Sequence, residues 1–215
     1  MLLAGKRDIH VTTLLEEIAE FFDDRVRRFG PTPAAVDVRS EESQRTRFEQ
    51  LSKMIADPAG SVLDFGCGYG ATLDYLREHG FVGAYHGIDI APEMIETAIK
   101  NHAHDPLTHF QVGSIPDVTA DYVIASGIFN LRQTRGEAEW QGFVEATVAM
   151  MNGAAGKGFA FNCLTSYSDP ERKRDDLYYG DPCYYFDLCK RQYSRQVALL
   201  HDYGLWEFTI IVRKA

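Results

Sequence analysis

From residue 61 onward, short apolar strands alternate with amphipathic segments, and this alternation constrains the fold more than any other feature of the sequence. The predicted strands cover residues 61–66, 84–90, 107–113, 121–127 and 157–164. The helices predicted between them cover residues 71–79, 92–102 and 136–151. Strands and helices that alternate in this way form a parallel sheet with helices on both faces. We therefore expect a three-layer α/β sandwich.

Residues 194–215 have a different pattern, because two apolar strands follow one another with only a short turn at Tyr203-Gly204 between them. Strands that are joined by a short turn pair antiparallel. The sheet is therefore expected to contain seven strands, mostly parallel, with the last strand reversed.

Two helices are expected before the sheet. Thr13 and Glu16 have the spacing of a capping box at the start of the first helix, and Ser40 is placed to cap the second. We therefore divide the chain into an N-terminal helical lid, residues 1–58, and one compact α/β domain, residues 59–215. A polar, turn-rich stretch at 165–185 is expected to be an insertion within that domain.

Charge and cysteine content narrow the possible partners and the location. The chain of 215 residues has 22 Lys and Arg against 31 Asp and Glu, and this net charge of −9 disfavours a phosphate-rich partner. Its 4 cysteines have no C-x-x-C spacing, which suits a reducing compartment. Because no signal peptide and no membrane-length apolar run is found, we expect a soluble, cytoplasmic protein. The histidines between residues 102 and 109 lack the i,i+4 spacing of a helical metal site, so no metal is expected.

The segment Asp64-Phe65-Gly66-Cys67-Gly68-Tyr69-Gly70 carries the most chemical information. A strand here runs into a glycine-rich turn that opens a helix, which lets a ligand approach the backbone closely. Asp89 closes the next strand, where a carboxylate can accept both hydroxyls of a ribose. Gly66, Gly68 and Ala71 also fit the dinucleotide pattern G-x-G-x-x-A. However, the carboxylate of Asp64 would repel a pyrophosphate over the turn, whereas it suits a ligand with an ammonium and a sulfonium group.

The D-x-G-x-G-x-G pattern, the ribose acid and the reversed last strand together resemble class I S-adenosylmethionine-dependent methyltransferases of the small-molecule type, whose fold is Rossmann-like. The resemblance covers residues 61–130 and part of the terminal hairpin. It implies S-adenosyl-L-methionine as cofactor and S-adenosyl-L-homocysteine as product. The cofactor-binding residues that it implies are Arg47, Asp64, Gly66, Cys67, Gly68, Gly70, Asp89, Ile90, Met94, Ser114, Ile115 and Ser126. Ser114 stands where the family often has an Asp, so the contact to the adenine amino group falls to its hydroxyl or to the backbone of Ile115.

The end of the fourth predicted strand bears on the methyl acceptor. Methyltransferases of nucleobase amino groups resemble one another in an Asp/Asn-Pro-Pro-aromatic motif here, whereas Ser126 to Phe129 lacks both prolines. Together with the net charge, this favours a small molecule, with neither nucleic acid nor membrane as a partner. The residues expected to bind the acceptor are Phe129, Asn130, Arg172, Arg174, Tyr178 and Tyr203. A solvated loop is the alternative explanation for the basic and aromatic residues of the insertion.

His201 and Tyr179 are the expected catalytic residues. His201 follows the penultimate strand at the cofactor-binding edge and could serve as a base, although closure of the hairpin also explains it. We expect the methyl group to go to an oxygen of a hydroxyl-, carboxylate-, phosphonate- or phosphate-bearing metabolite or saccharide. Three alternatives stay open: N-methylation of a small amine, a nicotinamide-dependent oxidoreductase, and a non-catalytic module that binds S-adenosylmethionine. The protein is expected to be a monomer or a homodimer.

Overall fold

The computed structural model describes residues 4–214 and, within that range, the side chains from residue 14 onward. The chain begins with α1 (Ala4–Phe29), a 3-10 turn (Pro33–Val36) and α2 (Glu41–Ser52). The first half of the α/β unit contains β1 (Val62–Phe65), α3 (Ala71–Glu78), β2 (Tyr85–Asp89), α4 (Pro92–Asn101) and β3 (Thr108–Val112). The second half contains β4 (Ala120–Ala125), α5 (Glu137–Ala154), β5 (Ala155–Leu164), α6 (Pro182–Gln192), β6 (Gln196–Leu200) and β7 (Glu207–Arg213).

The seven strands form one sheet in the order β3-β2-β1-β4-β5-β7-β6. The pairs from β3 to β5 are parallel, and β7 is antiparallel to both of its neighbours. The predicted Rossmann-like sandwich with a reversed last strand is therefore confirmed. The chain leaves β1 toward β2 on one side and returns to β4 on the other, and ligands bind at the carboxyl ends of strands around such a switch point.

Both faces of the sheet are covered by apolar side chains. Leu63 and Phe65 of β1 point into one core cluster with Trp140 of α5, whereas Val62 points into another with Leu51 of α2. These alternating directions follow from the period of two in a strand. Because the central strands are buried on both faces, their sequences are mostly apolar rather than alternating between apolar and polar residues.

The N-terminal helices pack on this sheet. Ser40 caps α2 as predicted, since its hydroxyl accepts a hydrogen bond from the amide of Ser43 at 3.1 Å. The prediction that the first helix begins at Thr13 is wrong, because α1 already begins at Ala4. No proline or glycine interrupts residues 6–12, so the helix continues through the capping-box sequence.

The insertion ends earlier than predicted, because residues 182–185 belong to α6 rather than to a loop. The carboxylate of Asp181 caps this helix and accepts hydrogen bonds from the amides of Cys183 and Tyr184. Pro182 occupies the first helical position, where its missing N–H costs nothing.

Candidate functional site

The glycine-rich turn between β1 and α3 adopts a conformation that only glycine accepts easily. Gly66, Gly68 and Gly70 have φ angles of +79°, +54° and +89°. A Cβ on Gly66 would lie 2.2 Å from Cγ2 of Ile128, and a Cβ on Gly70 would lie 2.5 Å from Nε2 of His102. The turn therefore presents bare backbone, which is the cradle that a closely bound ligand needs.

Asp89 ends β2 beside this turn. Its Oδ2 accepts a hydrogen bond from the amide of Gly68 at 2.8 Å, and its Oδ1 accepts one from the amide of Ala91 at 2.9 Å. Desolvation raises the pKa of this carboxyl above its ordinary value, and the two backbone hydrogen bonds oppose that rise. Each oxygen keeps a lone pair, so the carboxylate can accept two hydroxyl groups from a ribose.

A continuous cavity of about 1160 Å³ opens over the carboxyl ends of β1, β2 and β4. α1 spans it, since Leu14 packs with Trp140 of α5 and Val26 packs with Met94 of α4. Most of the predicted cofactor residues line the cavity: Arg47, Gly66, Cys67, Gly68, Asp89, Ile90, Met94, Ser114, Ile115 and Ser126. The bare turn, the ribose acid and the apolar walls fit S-adenosylmethionine.

Asp64 and Gly70 lie outside this lining. Gly70 is the N-cap residue of α3, where its positive φ lets the chain turn into the helix. Asp64 is fully buried behind the turn, and its Oδ2 accepts a hydrogen bond from the hydroxyl of Tyr85 at 2.5 Å. The side chain of Asp64 points to the face of the sheet that α3 covers. Asp64 is therefore not placed to make the direct contact with the cofactor that was predicted.

Burial makes the carboxyl group of Asp64 a weaker acid than an exposed aspartic acid. Oδ1 has no hydrogen-bond partner among the described residues, and desolvation raises the pKa of the carboxyl to about 6. The folded state therefore binds this proton more tightly than the unfolded state, whose value is near 3.8. The contribution of this group to folding stability falls as the pH rises through the window between about 4 and 6, and it stays low above that window.

We expect the free energy of unfolding of Asp64→Asn, relative to that of the unchanged protein, to increase by up to about 3 kcal/mol as the pH rises from 4 to 7. Urea unfolding without ligand at both pH values measures this difference. Asp121→Asn is the control, because the amide of Ser61 and the ammonium of Lys157 lower the pKa of Asp121 below 3.8. Its pH-dependent contribution is therefore lost mainly below pH 4, and the difference between this variant and the unchanged protein should stay nearly constant from pH 4 to 7. A difference between Asp64→Asn and the unchanged protein that is the same at both pH values would contradict the expectation.

Only some of the predicted acceptor residues line the cavity. Asn130 and Arg174 line it, whereas Phe129 and Tyr178 are buried and Arg172 is exposed. The hydroxyl of Tyr178 lies 2.8 Å from that of Tyr185, in the apolar core. Tyr203 is held by Thr209, at 3.0 Å between the hydroxyl oxygens, and lies outside the lining.

Neither predicted catalytic residue lines the cavity. His201 is exposed on the turn after β6, with its ring 5.9 Å from that of Tyr167. The turn is at the carboxyl edge as expected, but β6 lies two strands beyond β5, which is about 10 Å. The hydroxyl of Tyr179 accepts a hydrogen bond from the amide of Arg174 at 2.9 Å. This hydrogen bond links two residues within the insertion.

A buried polar network, which the sequence did not indicate, crosses the carboxyl edge of the sheet. Nε of Arg47 donates to both oxygens of Glu207, at 2.8 and 2.9 Å. Nδ2 of Asn162 donates to Oε2 of Glu207 at 2.7 Å, and the amide of Gly127 donates to Oδ1 of Asn162 at 2.7 Å. The network joins α2 to the start of β7, to β5 and to the loop after β4. Arg47, one of the implied cofactor-binding residues, is thus engaged with Glu207 while it lines the cavity.

Among the side chains described, from residue 14 to residue 214, no group of three or more His, Cys, Asp or Glu is arranged to hold a metal ion. None of the helices within residues 4–214 is long and apolar enough to cross a membrane.

Comparisons with known proteins agree with the fold and the site. The family described as "Methyltransferase domain" matches residues 15–133, more than half of the chain. A Mycobacterium tuberculosis protein named "Putative methyltransferase Rv1506c" is 56% identical over 160 residues, which cover 74% of this chain and 96% of that protein.

Solved structures show the same fold with the cofactor or its product bound. Magnesium protoporphyrin IX methyltransferase (ChlM) from Synechocystis PCC 6803 with bound SAH matches with a TM-score of 0.66 at 16% identity, over 93% of this chain and 99% of that one. The DhpI-SAH complex matches with a TM-score of 0.63 at 17% identity, over 94% and 97%. These findings favour S-adenosylmethionine over the nicotinamide alternative. The chain belongs to the methyltransferase-domain family, as a class I S-adenosylmethionine-dependent methyltransferase.

Proposed function

We propose that this enzyme transfers the methyl group of S-adenosylmethionine to an oxygen of a small molecule, and that the oxygen is ionised. The observation that carries this proposal is the single cavity of about 1160 Å³, which extends from the glycine-rich turn to α5. Small-molecule pockets usually measure about 300–1,000 Å³, so this cavity has room for the cofactor and a second small molecule. A bulky macromolecular acceptor would have to displace α1.

The cofactor occupies the half of the cavity nearest the turn. Asp89 accepts the ribose hydroxyls, Ile90 and Met94 enclose the adenine, and Ser114 or the backbone of Ile115 receives its amino group. The bare backbone of the turn lies along the methionine part. When it is bound, S-adenosylmethionine would supply an electrophilic methyl group; attack by an acceptor oxygen forms the C–O bond, breaks the C–S bond and releases S-adenosylhomocysteine.

Residues 1–58 act as the lid that excludes water from this reaction. Asp37, in the connection between α1 and α2, pairs with Arg25 at 3.2 Å and with Arg174 of the insertion at 3.3 Å. These two ion pairs hold the segment that precedes α2 against both α1 and the insertion. They support a closed arrangement over the bound ligands.

Positive and polar groups favour an anionic acceptor. Arg135 and Arg174 line the cavity, where an anionic acceptor would compete with the carboxylates of Glu17 and Asp37 that pair with them. Nδ2 of Asn130 can donate because this residue uses Oδ1 to accept from the amide of Leu164. An ionised carboxylate, phosphonate or phosphate oxygen attacks without a base, which agrees with the positions of His201 and Tyr179 outside the lining. The free thiols of all four cysteines support a cytoplasmic location, where such thiols stay reduced.

The test uses S-adenosylmethionine with a labelled methyl group and four panels of metabolites: carboxylates, phosphonates or phosphates, alcohols and amines. We expect labelled product from the carboxylate or phosphonate panels. Label found only in amines would replace the proposal with N-methylation. Binding of S-adenosylhomocysteine is measured separately, so that a failure of the acceptor panels is not mistaken for a failure of the cofactor site.

A further inference from the structure

One face of α5 lines the cavity, and two of its side chains, Phe143 and Met150, also pack in part against the core. Glu139, Gly142, Phe143, Ala146 and Met150 recur at intervals of three and four residues, so they lie on one side of the helix. From the first to the last of these positions the face is about 16 Å long. An apolar helix face in a globular protein normally packs on other side chains.

α1 faces this stripe across the cavity. Leu15, Ile18 and Phe22 line the opposite wall. We call the space between these residues and Phe143, Ala146 and Met150 the α1–α5 chamber. Its walls are apolar, whereas the other half of the cavity has Asp89, Ser114 and the backbone of the glycine-rich turn. The two halves are therefore suited to two ligands of different polarity.

Gly142 keeps the chamber open. A Cβ added to this residue would have no atom within 4 Å, so the position borders empty space. Glycine in the interior of a helix is destabilising relative to alanine, and packing gives no reason for it here. A side chain at position 142 would project into this open space and narrow the chamber.

We infer that the α1–α5 chamber is the subsite for the body of the methyl acceptor, and that this body is an apolar alkyl or aromatic group. The acceptor is then an amphiphile: its apolar body lies between the two helices, and its anionic oxygen lies toward the glycine-rich turn. Arg135 and Glu139, at the start of α5, are the charged residues at the rim of the chamber. This inference rests on the proposed function for the reaction, but it concerns a different part of the cavity from the cofactor.

The test uses anilinonaphthalene sulfonate, an aromatic probe with one anionic group, in the presence of saturating S-adenosylhomocysteine. We expect one saturable site in the unchanged protein. Gly142→Leu should weaken the binding of the probe by about tenfold or more, because a leucine side chain would occupy the chamber. Ala146→Leu should act in the same direction. Binding of S-adenosylhomocysteine should stay within about twofold of the unchanged protein in both variants, since neither residue is in the cofactor half.

Gly153→Leu is the matched control. Gly153 is also in α5 and also has open space at its Cβ position, but it does not line the cavity. It should leave the binding of the probe unchanged. Equal probe binding by Gly142→Leu and the unchanged protein would overturn the inference, as would equal losses in Gly142→Leu and Gly153→Leu. If the unchanged protein does not bind S-adenosylhomocysteine, that result would instead overturn the cofactor assignment.

Discussion

Glu207→Ala is expected to lower the free energy of unfolding by about 3–5 kcal/mol, because it breaks a buried ion pair and leaves one partner uncompensated. Glu207 is 2% exposed, and it accepts hydrogen bonds from both Arg47 and Asn162. Without its carboxylate, the guanidinium of Arg47 and the amide of Asn162 lose their common acceptor. Urea unfolding followed by circular dichroism measures the change.

The control for this prediction is an exposed ion pair that also involves α2. Arg45 and Glu78 lie 2.8 Å apart, with 41% and 55% of their side chains exposed. Glu78→Ala should change the free energy of unfolding by less than about 1 kcal/mol. The double variant Arg47→Ala, Glu207→Ala should cost less than the sum of its two single changes, since each single change leaves a buried group without its partner. Additive losses, or a small effect of Glu207→Ala alone, would contradict the role assigned to the network.

Asp89→Ala is expected to weaken the binding of S-adenosylhomocysteine by about 10- to 100-fold, because hydrogen bonds to a charged group contribute about 1.5–3 kcal/mol. The change removes the carboxylate that we propose accepts the ribose hydroxyls. It also releases the amide of Gly68, so the glycine-rich turn loses one of its supports. Isothermal titration calorimetry measures the loss of affinity.

Asp117→Ala is the matched control for Asp89→Ala. Asp117 is an exposed carboxylate that follows β3 and does not line the cavity, so its removal changes the net charge by the same amount. It should leave the affinity within about twofold, because an exposed charge outside the site is screened by solvent and salt. Equal losses in the two variants would show that net charge, rather than a ribose contact, explains the effect.

The sequence was sufficient to predict the sheet and most of the residues that line the cavity beside the glycine-rich turn. Strand and helix periodicity depend on local residue order, and the turn with Gly66 and Gly68 is a local motif that one stretch of chain contains entirely. Asp89 was predictable because it occupies the end of the next strand, which a parallel sheet places beside the turn. These features need no knowledge of distant contacts.

Other predictions failed where the outcome depended on packing between distant segments. Asp64 has the spacing of a ligand contact, but the alternation of β1 directs its side chain toward Tyr85. His201 is at the predicted edge, but the strand order places β7 between β6 and β5. Gly142 and Ala146 were missed because an apolar stripe that lines a cavity has the same period as one that packs in a core.

The position of β7 between β5 and β6 has a consequence for how the protein is made. During synthesis, β5 emerges well before β7, so the edge of β5 that β7 later covers stays unpaired until the chain has passed residue 213. Unpaired strand edges are prone to aggregation in partly folded chains. Arg47 and Glu207 are also separated by 160 positions, so the Arg47 side chain of α2 has no buried carboxylate to pair with until Glu207 has been synthesised. The cavity is therefore completed late in folding, after the parallel strands that support it have formed.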